Sequence, residues 1–172
     1  TEYTFFLRDN VNFHTTTYFT PTRTLNADDI LFSFNRMLSK EHPFHSINSQ
    51  PENEFYNHHL SNIIKKIVKV DQLTVRFILN KPDVTLLATL AAHYSVIISK
   101  EYATSLLQIG QPTKLDYFPI GTGPYQFKDN NKLIIRYQKH LFPWQTAANI
   151  DNLIFDITTN SSKRYAKLLS GE

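Results

Sequence analysis

Glycine is scarce in this chain. Of 172 residues only four are glycine, and two of those fall in Pro119-Ile120-Gly121-Thr122-Gly123-Pro124-Tyr125-Gln126-Phe127. Such a run dictates the backbone path, because glycine admits positive φ or a close approach by another segment, while proline fixes φ and withholds an N–H. Tyr125 and Phe127 then alternate with Gln126 as the start of a strand, so the run reads as a tight crossing turn feeding a sheet. A dinucleotide cradle would need a third glycine where Gln126 stands and a helix behind it. Pro124 instead removes a donor and a strand follows, so the turn reads as structural.

On the N-terminal side, Tyr3 to Arg8 is a β-rich run closed by Asp9-Asn10, and Val11-Asn12-Phe13 alternates as a second short strand. Residues 14–24 read as a Thr-rich loop. Asn26 is a natural N-cap with Asp28 and Asp29 in the first turn, and Ile30, Leu31, Phe34, Met37 and Leu38 recur at helical spacing. This predicts an amphipathic helix over 27–39. A catalytic role for the Asp28-Asp29 pair is the weaker reading beside capping. From Glu41 to His59 the pattern dissolves, which predicts a long irregular connection. His42, His45, His58 and His59 lie within it, but their spacing fits no standard metal site, so they read as loop histidines and no metal or cofactor is expected.

Asn62 to Val70 and Leu73 to Leu79 are β-branched runs around Asp71-Gln72, a predicted hairpin. Lys65, Lys66, Lys69 and Arg76 make it the most basic patch of the chain. Two readings stand: a solvated face that discourages edge pairing, or a surface for nucleic acid or another polyanion. Val84 to Ala92 reads as an apolar helix, and His93-Tyr94 leads into a predicted buried strand, Ser95 to Ile98. Ser99 caps a helix running to Leu107 and stopped by Gly110. His93, between an apolar helix and a buried strand, is expected in the core or on a cleft wall rather than fully exposed.

Beyond the glycine turn, Tyr125 to Phe127 and Leu133 to Tyr137 form a predicted hairpin around Asp129-Asn130-Asn131, closed by aromatic packing of Phe142-Pro143-Trp144. Ile150 to Ile157 reads as a strand and Lys163 to Leu169 as a helix capped by Ser161 or Ser162. Apolar residues at 41% allow a packed core, and a net charge of +3 is too small to announce a nucleic-acid or membrane partner. Without cysteine there is no disulfide, thiolate metal site or Cys nucleophile. No run approaches the roughly 18 apolar residues of a membrane span, and no GxSxG or HExxH signature points to an enzyme. The chain starts in a strand and stops just after a helix, which predicts an internal piece of a longer protein.

The order of motifs carries more than any one of them. Tyr3-Thr4-Phe5-Phe6-Leu7-Arg8, Val11-Asn12-Phe13-His14, Asn26-Ala27-Asp28-Asp29-Ile30-Leu31-Phe32-Ser33-Phe34-Asn35-Arg36, Val68 to Phe77, Ile120-Gly121-Thr122-Gly123-Pro124-Tyr125 and Leu168-Leu169-Ser170-Gly171-Glu172 together resemble the family 5 solute-binding proteins of bacterial ABC transporters. Phe19-Thr20-Pro21-Thr22-Arg23 before Asn26 is similar to the Sap-type branch, associated with antimicrobial peptides. A longer Thr-rich loop replaces the family's usual Asp-Gly-Thr-Pro turn after His14, and Leu141-Phe142-Pro143-Trp144 stands at its aromatic-Trp segment.

The resemblance implies a type II, two-lobed α/β periplasmic binding protein with a mixed sheet, flanking helices and hairpins. It would be a monomer in the Gram-negative periplasm that closes on a peptide or haem and delivers it to an ABC transporter permease. Residues 1–93 would be the accessory subdomain of the first lobe and 94–172 part of that lobe's sheet, leading to the inter-lobe crossing. His93 and Tyr94, and after them Phe44 and His45, are the residues implied to approach the ligand. Core packing is the other reading of Tyr94.

Overall fold

The computed structural model describes residues 1–47, 51–141 and 148–171. It divides into two compact units, one of Thr1–Asp116 with Ile120–Thr122 and one of Tyr117–Pro119 with Gly123–Glu172. No helix among the described residues is long and apolar enough to cross a membrane.

In the first unit, β1 (Glu2–Phe6), β2 (Ile64–Lys69) and β3 (Thr74–Leu79) form an antiparallel sheet in the order β1-β3-β2. The central strand β3 is the apolar one: Val75, Phe77 and Leu79 are all buried at alternating positions, as a strand with one face on a core requires. Helix α1 (Ala27–Leu38) lies against this face. Phe77 takes Phe5 and Phe34 edge-on, each with ring centroids 5.2 Å away; Phe34 and Phe77 are buried, and full burial of such a side chain is worth about 1.5–3 kcal/mol.

Helix α1 begins where its sequence says it should. The Asn26 side chain accepts the Asp28 N–H at 2.9 Å, and Asp29 Oδ2 accepts the Asn26 N–H at 3.0 Å, a reciprocal capping box. Asp29, with 0% exposure, does more. It receives both Nη atoms of Arg23 at 2.7 and 2.8 Å and the backbone N–H of Lys100 at 2.8 Å. One turn on, the Ser33 hydroxyl donates to the Asp29 carbonyl at 2.7 Å and accepts the Ile98 N–H at 2.7 Å. Residues 98–100 are therefore held against α1 by side chains, with no ladder of their own. The expected strand at Ser95 to Ile98 is absent: its Ser95 amide goes to the Ala92 carbonyl and its Ile98 amide to the Ser33 hydroxyl rather than to a neighbouring strand. Helix α4 (Lys100–Gln108) follows, with Ser99 accepting the Tyr102 N–H as cap and Gly110 at φ 69° beyond its end.

Three further expectations for this unit are corrected. Val11 to Phe13 forms no strand: Val11 and Phe13 are buried, but the Val11 carbonyl takes the Leu25 N–H instead. The stretch expected to be irregular up to His59 contains helix α2 (Pro51–Ile63), which delays the following strand to Ile64. Proline at the first helical position with acids behind it is a helix-start signal, and the polar residues after it hid the period. The Asn80 side chain closes α2 by donating to the Ser61 and Asn62 carbonyls at 2.9 and 3.1 Å. Helix α3 (Leu86–Leu90) is shorter than Val84 to Ala92.

The crossing turn is present, although neither Gly121 nor Gly123 has positive φ. Gly121 is instead the point of close approach: its carbonyl accepts the His14 N–H at 2.8 Å and its N–H reaches His14 Nδ1 at 3.3 Å. A one-turn helix, α5 (Lys114–Tyr117), precedes it. In the second unit β4 (Tyr125–Asn130), β5 (Ile134–Lys139) and β6 (Asn152–Asp156) form an antiparallel sheet in sequence order. Helix α6 (Ser161–Ser170) follows, capped by Asn160, which accepts the Lys163 N–H at 3.0 Å, and not by Ser161 or Ser162. The aromatic closure by Phe142-Pro143-Trp144 lies outside the described residues.

After α1 the chain folds back on it through a tight loop. The Phe44 N–H donates to His42 Nδ1 at 3.2 Å, and the His42 ring meets Phe32 edge-on at 5.0 Å. Burial, and then the charge of Arg36 and His45, hold His42 below its ordinary value. A depressed histidine is neutral in the folded chain while the unfolded chain has begun to take up protons. Its contribution is complete above about pH 6.5 and is lost as the pH falls towards the folded value. Urea midpoints at pH 7.5 and pH 5 should therefore differ less in His42→Phe than in the unaltered chain, and equal differences would contradict this. Asp29→Ala should lower stability by about 3 kcal/mol, the low end for a broken buried pair because Arg23 is partly exposed. A loss under about 1 kcal/mol in urea unfolding would show that Asp29 is not the junction described.

Candidate functional site

Four segments of the first unit converge on one cavity of about 240 Å³. Helix α1 contributes Arg36 and Met37, the loop after it Phe44, His45 and Ile47, helix α2 Tyr56 and Asn57, and the segment after α3 His93, Tyr94 and Val96. All four residues implied as ligand contacts, Phe44, His45, His93 and Tyr94, thus lie on a single wall system.

Each is placed by a local reason. Phe44 is 4% exposed and packs edge-on against Phe32, with centroids 5.4 Å apart, so most of it is core and one side faces the cavity. His45 Nδ1 lies 2.9 Å from the Arg36 carbonyl. A carbonyl only accepts, so Nδ1 carries the proton and a neutral ring presents Nε2 as an acceptor. Tyr94 is fixed from both sides: the Ser95 hydroxyl donates to the Thr89 carbonyl at 2.8 Å, and Ser33 holds Ile98. Its ring stacks on Tyr56 with centroids 4.2 Å apart and planes 17° from parallel. His93 stands edge-on to both tyrosines at 5.3 and 5.4 Å; it is exposed and lines the cavity, so of its two expected places it takes the cleft wall and not the core. The arrangement offers an aromatic face, aliphatic floor positions and a few directional polar groups, the usual makeup of a small-molecule site.

Sequence reasoning missed Arg36, Tyr56 and Asn57. Tyr56 and Asn57 were hidden with α2. Arg36 carried a signal: it stands one turn beyond the buried Phe32 and next to the buried Met37.

The other sequence candidates go elsewhere. Lys69 donates to Asp28 at 2.8 Å, and this hydrogen bond holds the Asp28 carboxyl below its usual range. Arg76 lies 3.8 Å from Glu2, while Lys65 and Lys66 are exposed on β2. His58 is exposed and His59 Nε2 is 3.5 Å from the Thr89 hydroxyl. Among the described residues no group of three or more His, Asp or Glu is placed to hold a metal ion.

Comparison with known proteins bears on the whole chain. The dipeptide-binding protein of Escherichia coli K12 is 43% identical over 99% of this chain and 32% of its own length. Heme-binding protein A of Haemophilus influenzae is 43% identical over 98% of this chain and 31% of its own. The peptide transport periplasmic protein SapA of Salmonella typhimurium is 38% identical over 99% and 31%. The structure of HbpA2 from Haemophilus parasuis superposes with a TM-score of 0.90 at 44% identity, covering 99% of this chain and 34% of that one. The chain therefore spans about a third of the length of the relatives it matches. The family described as bacterial extracellular solute-binding proteins, family 5 Middle, matches residues 1–172, and the chain belongs to it.

Proposed function

We propose that this chain is part of an extracytoplasmic receptor that captures a peptide, or haem, and hands it to an ABC transporter permease for import. The observation that carries the reading is the cavity itself. Residues from α1, the following loop, α2 and the segment after α3 meet there with aromatic, aliphatic and polar side chains suited to gripping a small ligand. The ligand-contacting residues are His93, Tyr94, Phe44 and His45, with Phe44 acting chiefly as the packed support of the wall. Residues 1–93 serve as the accessory subdomain of a first lobe and 94–172 as part of its sheet, and capture proceeds by closure of two lobes around the ligand. The protein works as a monomer in the Gram-negative periplasm and is not an enzyme. Relatives named for binding dipeptides and heme, and a Sap-type relative named for peptide transport, support this choice of ligands; within it, antimicrobial peptides are the peptide class proposed.

A nucleic-acid role for the basic hairpin has no comparable support. Lys69 and Arg76 already face Asp28 and Glu2, which leaves two exposed lysines, Lys65 and Lys66, from the original four. Phosphate-driven binding rests on many unneutralised cations.

Native mass spectrometry of the complete polypeptide, gently purified and then denatured, should release short peptides or haem. Nucleic acid that stays bound through moderate salt would contradict the reading. With the released ligand as probe, Tyr94→Ala should weaken binding by about tenfold or more, because it removes half of an aromatic stack on the wall. His93→Ala should weaken it less, as His93 sits at the exposed rim. Unchanged affinity in both variants would remove this wall from the site.

A further inference from the structure

We propose that Arg36 makes this cavity a carboxylate-binding subsite, so that the captured ligand presents an anionic carboxylate there; the inference rests on the capture reading above and adds the ligand's chemistry to it. Arg36 occupies the last turn of α1 and lines the cavity. It is half-buried, and its Nε is shut off from solvent with no hydrogen-bond partner. Among the described residues no carboxylate forms an ion pair with it, and none of the cavity-lining residues named above is acidic. Burial pulls the guanidinium below its ordinary value, and only the through-space charge of Asp116 opposes this.

A cation in that position is costly unless something answers it. The negative end of α1 offsets part of the cost, but a desolvated guanidinium without a carboxylate is the arrangement that ion-pair energetics penalises most, and an orphaned buried donor calls for an explanation. Arg76 has a buried, unpartnered Nε as well, but a carboxylate, that of Glu2, lies 3.8 Å from its Nη1, and three further arginines are answered outright. Arg23 and Arg136 each meet a carboxylate within 2.8 Å, and Arg164 donates to the Thr158 and Thr159 carbonyls. Arg36 instead faces an open volume beside hydroxyl and amide donors of Tyr56, Tyr94 and Asn57. The planar fork of a guanidinium matches a carboxylate bidentately, and a site built to pair a charge discriminates strongly against a neutral isostere.

Peptide carboxylates and haem propionates share this chemistry. The test is binding to the complete polypeptide of the tripeptide Ala-Glu-Ala, its Ala-Gln-Ala counterpart, its C-terminal amide, haem, and haem dimethyl ester. The expected result is that at least one acid binds about tenfold or more tightly than its neutral counterpart, and that Arg36→Met erases this preference while the neutral counterpart binds as before. Which pair shows the preference names the source: a side chain, a peptide terminus or a propionate. Arg36→Lys, which keeps the charge, should retain part of the preference and guards against a folding defect in the methionine variant. Equal binding of all acid and neutral pairs to the unaltered protein, or a preference that survives Arg36→Met, overturns the subsite while leaving capture standing. Binding of none of the five probes overturns the capture reading, and the subsite with it.

Discussion

The Asp29 carboxylate is the constraint on which the first unit depends. Its two oxygens are shared among the Arg23 guanidinium, the N-terminal amide of α1 at Asn26 and the first amide of α4 at Lys100. A fully buried carboxylate is tolerable only when its lone pairs are answered, and here the answers come from three separate segments. Satisfying one charge therefore fixes the loop before α1, the start of α1 and the start of α4 relative to each other. Thr22 adds a second tie from the same loop, with its hydroxyl on Glu101 at 2.6 Å.

From that junction α1 acts as a hub whose sides do different things. Ile30 and Phe34 belong to the face against the sheet, where Phe34 meets Phe77. Asp29 and Ser33, one turn apart, hold residues 98–100. Phe32 and Arg36, also one turn apart, receive the loop through Phe44 and the His45 ring. The cavity exists because these last two sides are adjacent: the segment tied down by Ser33 carries Tyr94, and the loop tied to Arg36 carries Phe44 and His45. The walls of the cavity are thus placed by anchors on the backbone, the Ser33 hydroxyl on the Ile98 N–H and the His45 ring on the Arg36 carbonyl.

Much of this was legible in the residues. Asn26 with two acids behind it fixed the start of α1, Ser99 and Gly110 bracketed α4, and the alternation from Leu73 to Leu79 marked the buried strand. What escaped did so for physical reasons. Ser95 to Ile98 has the composition of a strand, but its partner is a serine hydroxyl 65 residues away in sequence, and no local pattern announces that. Helix α2 is polar along much of its length, so its period is faint even though Pro51 marks its start. The candidate site was legible in part: the resemblance pointed to His93, Tyr94, Phe44 and His45, which line one cavity. The meaning of Arg36 depended on knowing that no carboxylate among the described residues pairs with it, which is a fact of three dimensions.

The central claim is that α1, through its anchors, builds a wall that contacts the captured ligand. Hydrogen exchange of the complete polypeptide, with and without the ligand it co-purifies, tests this most directly, since local opening reports where binding free energy is felt. The account predicts slowed exchange at amides 42–47, 56–57 and 93–96. Unchanged exchange at all three segments, with protection confined to the β2–β3 hairpin that carries Lys65 and Lys66, would contradict it.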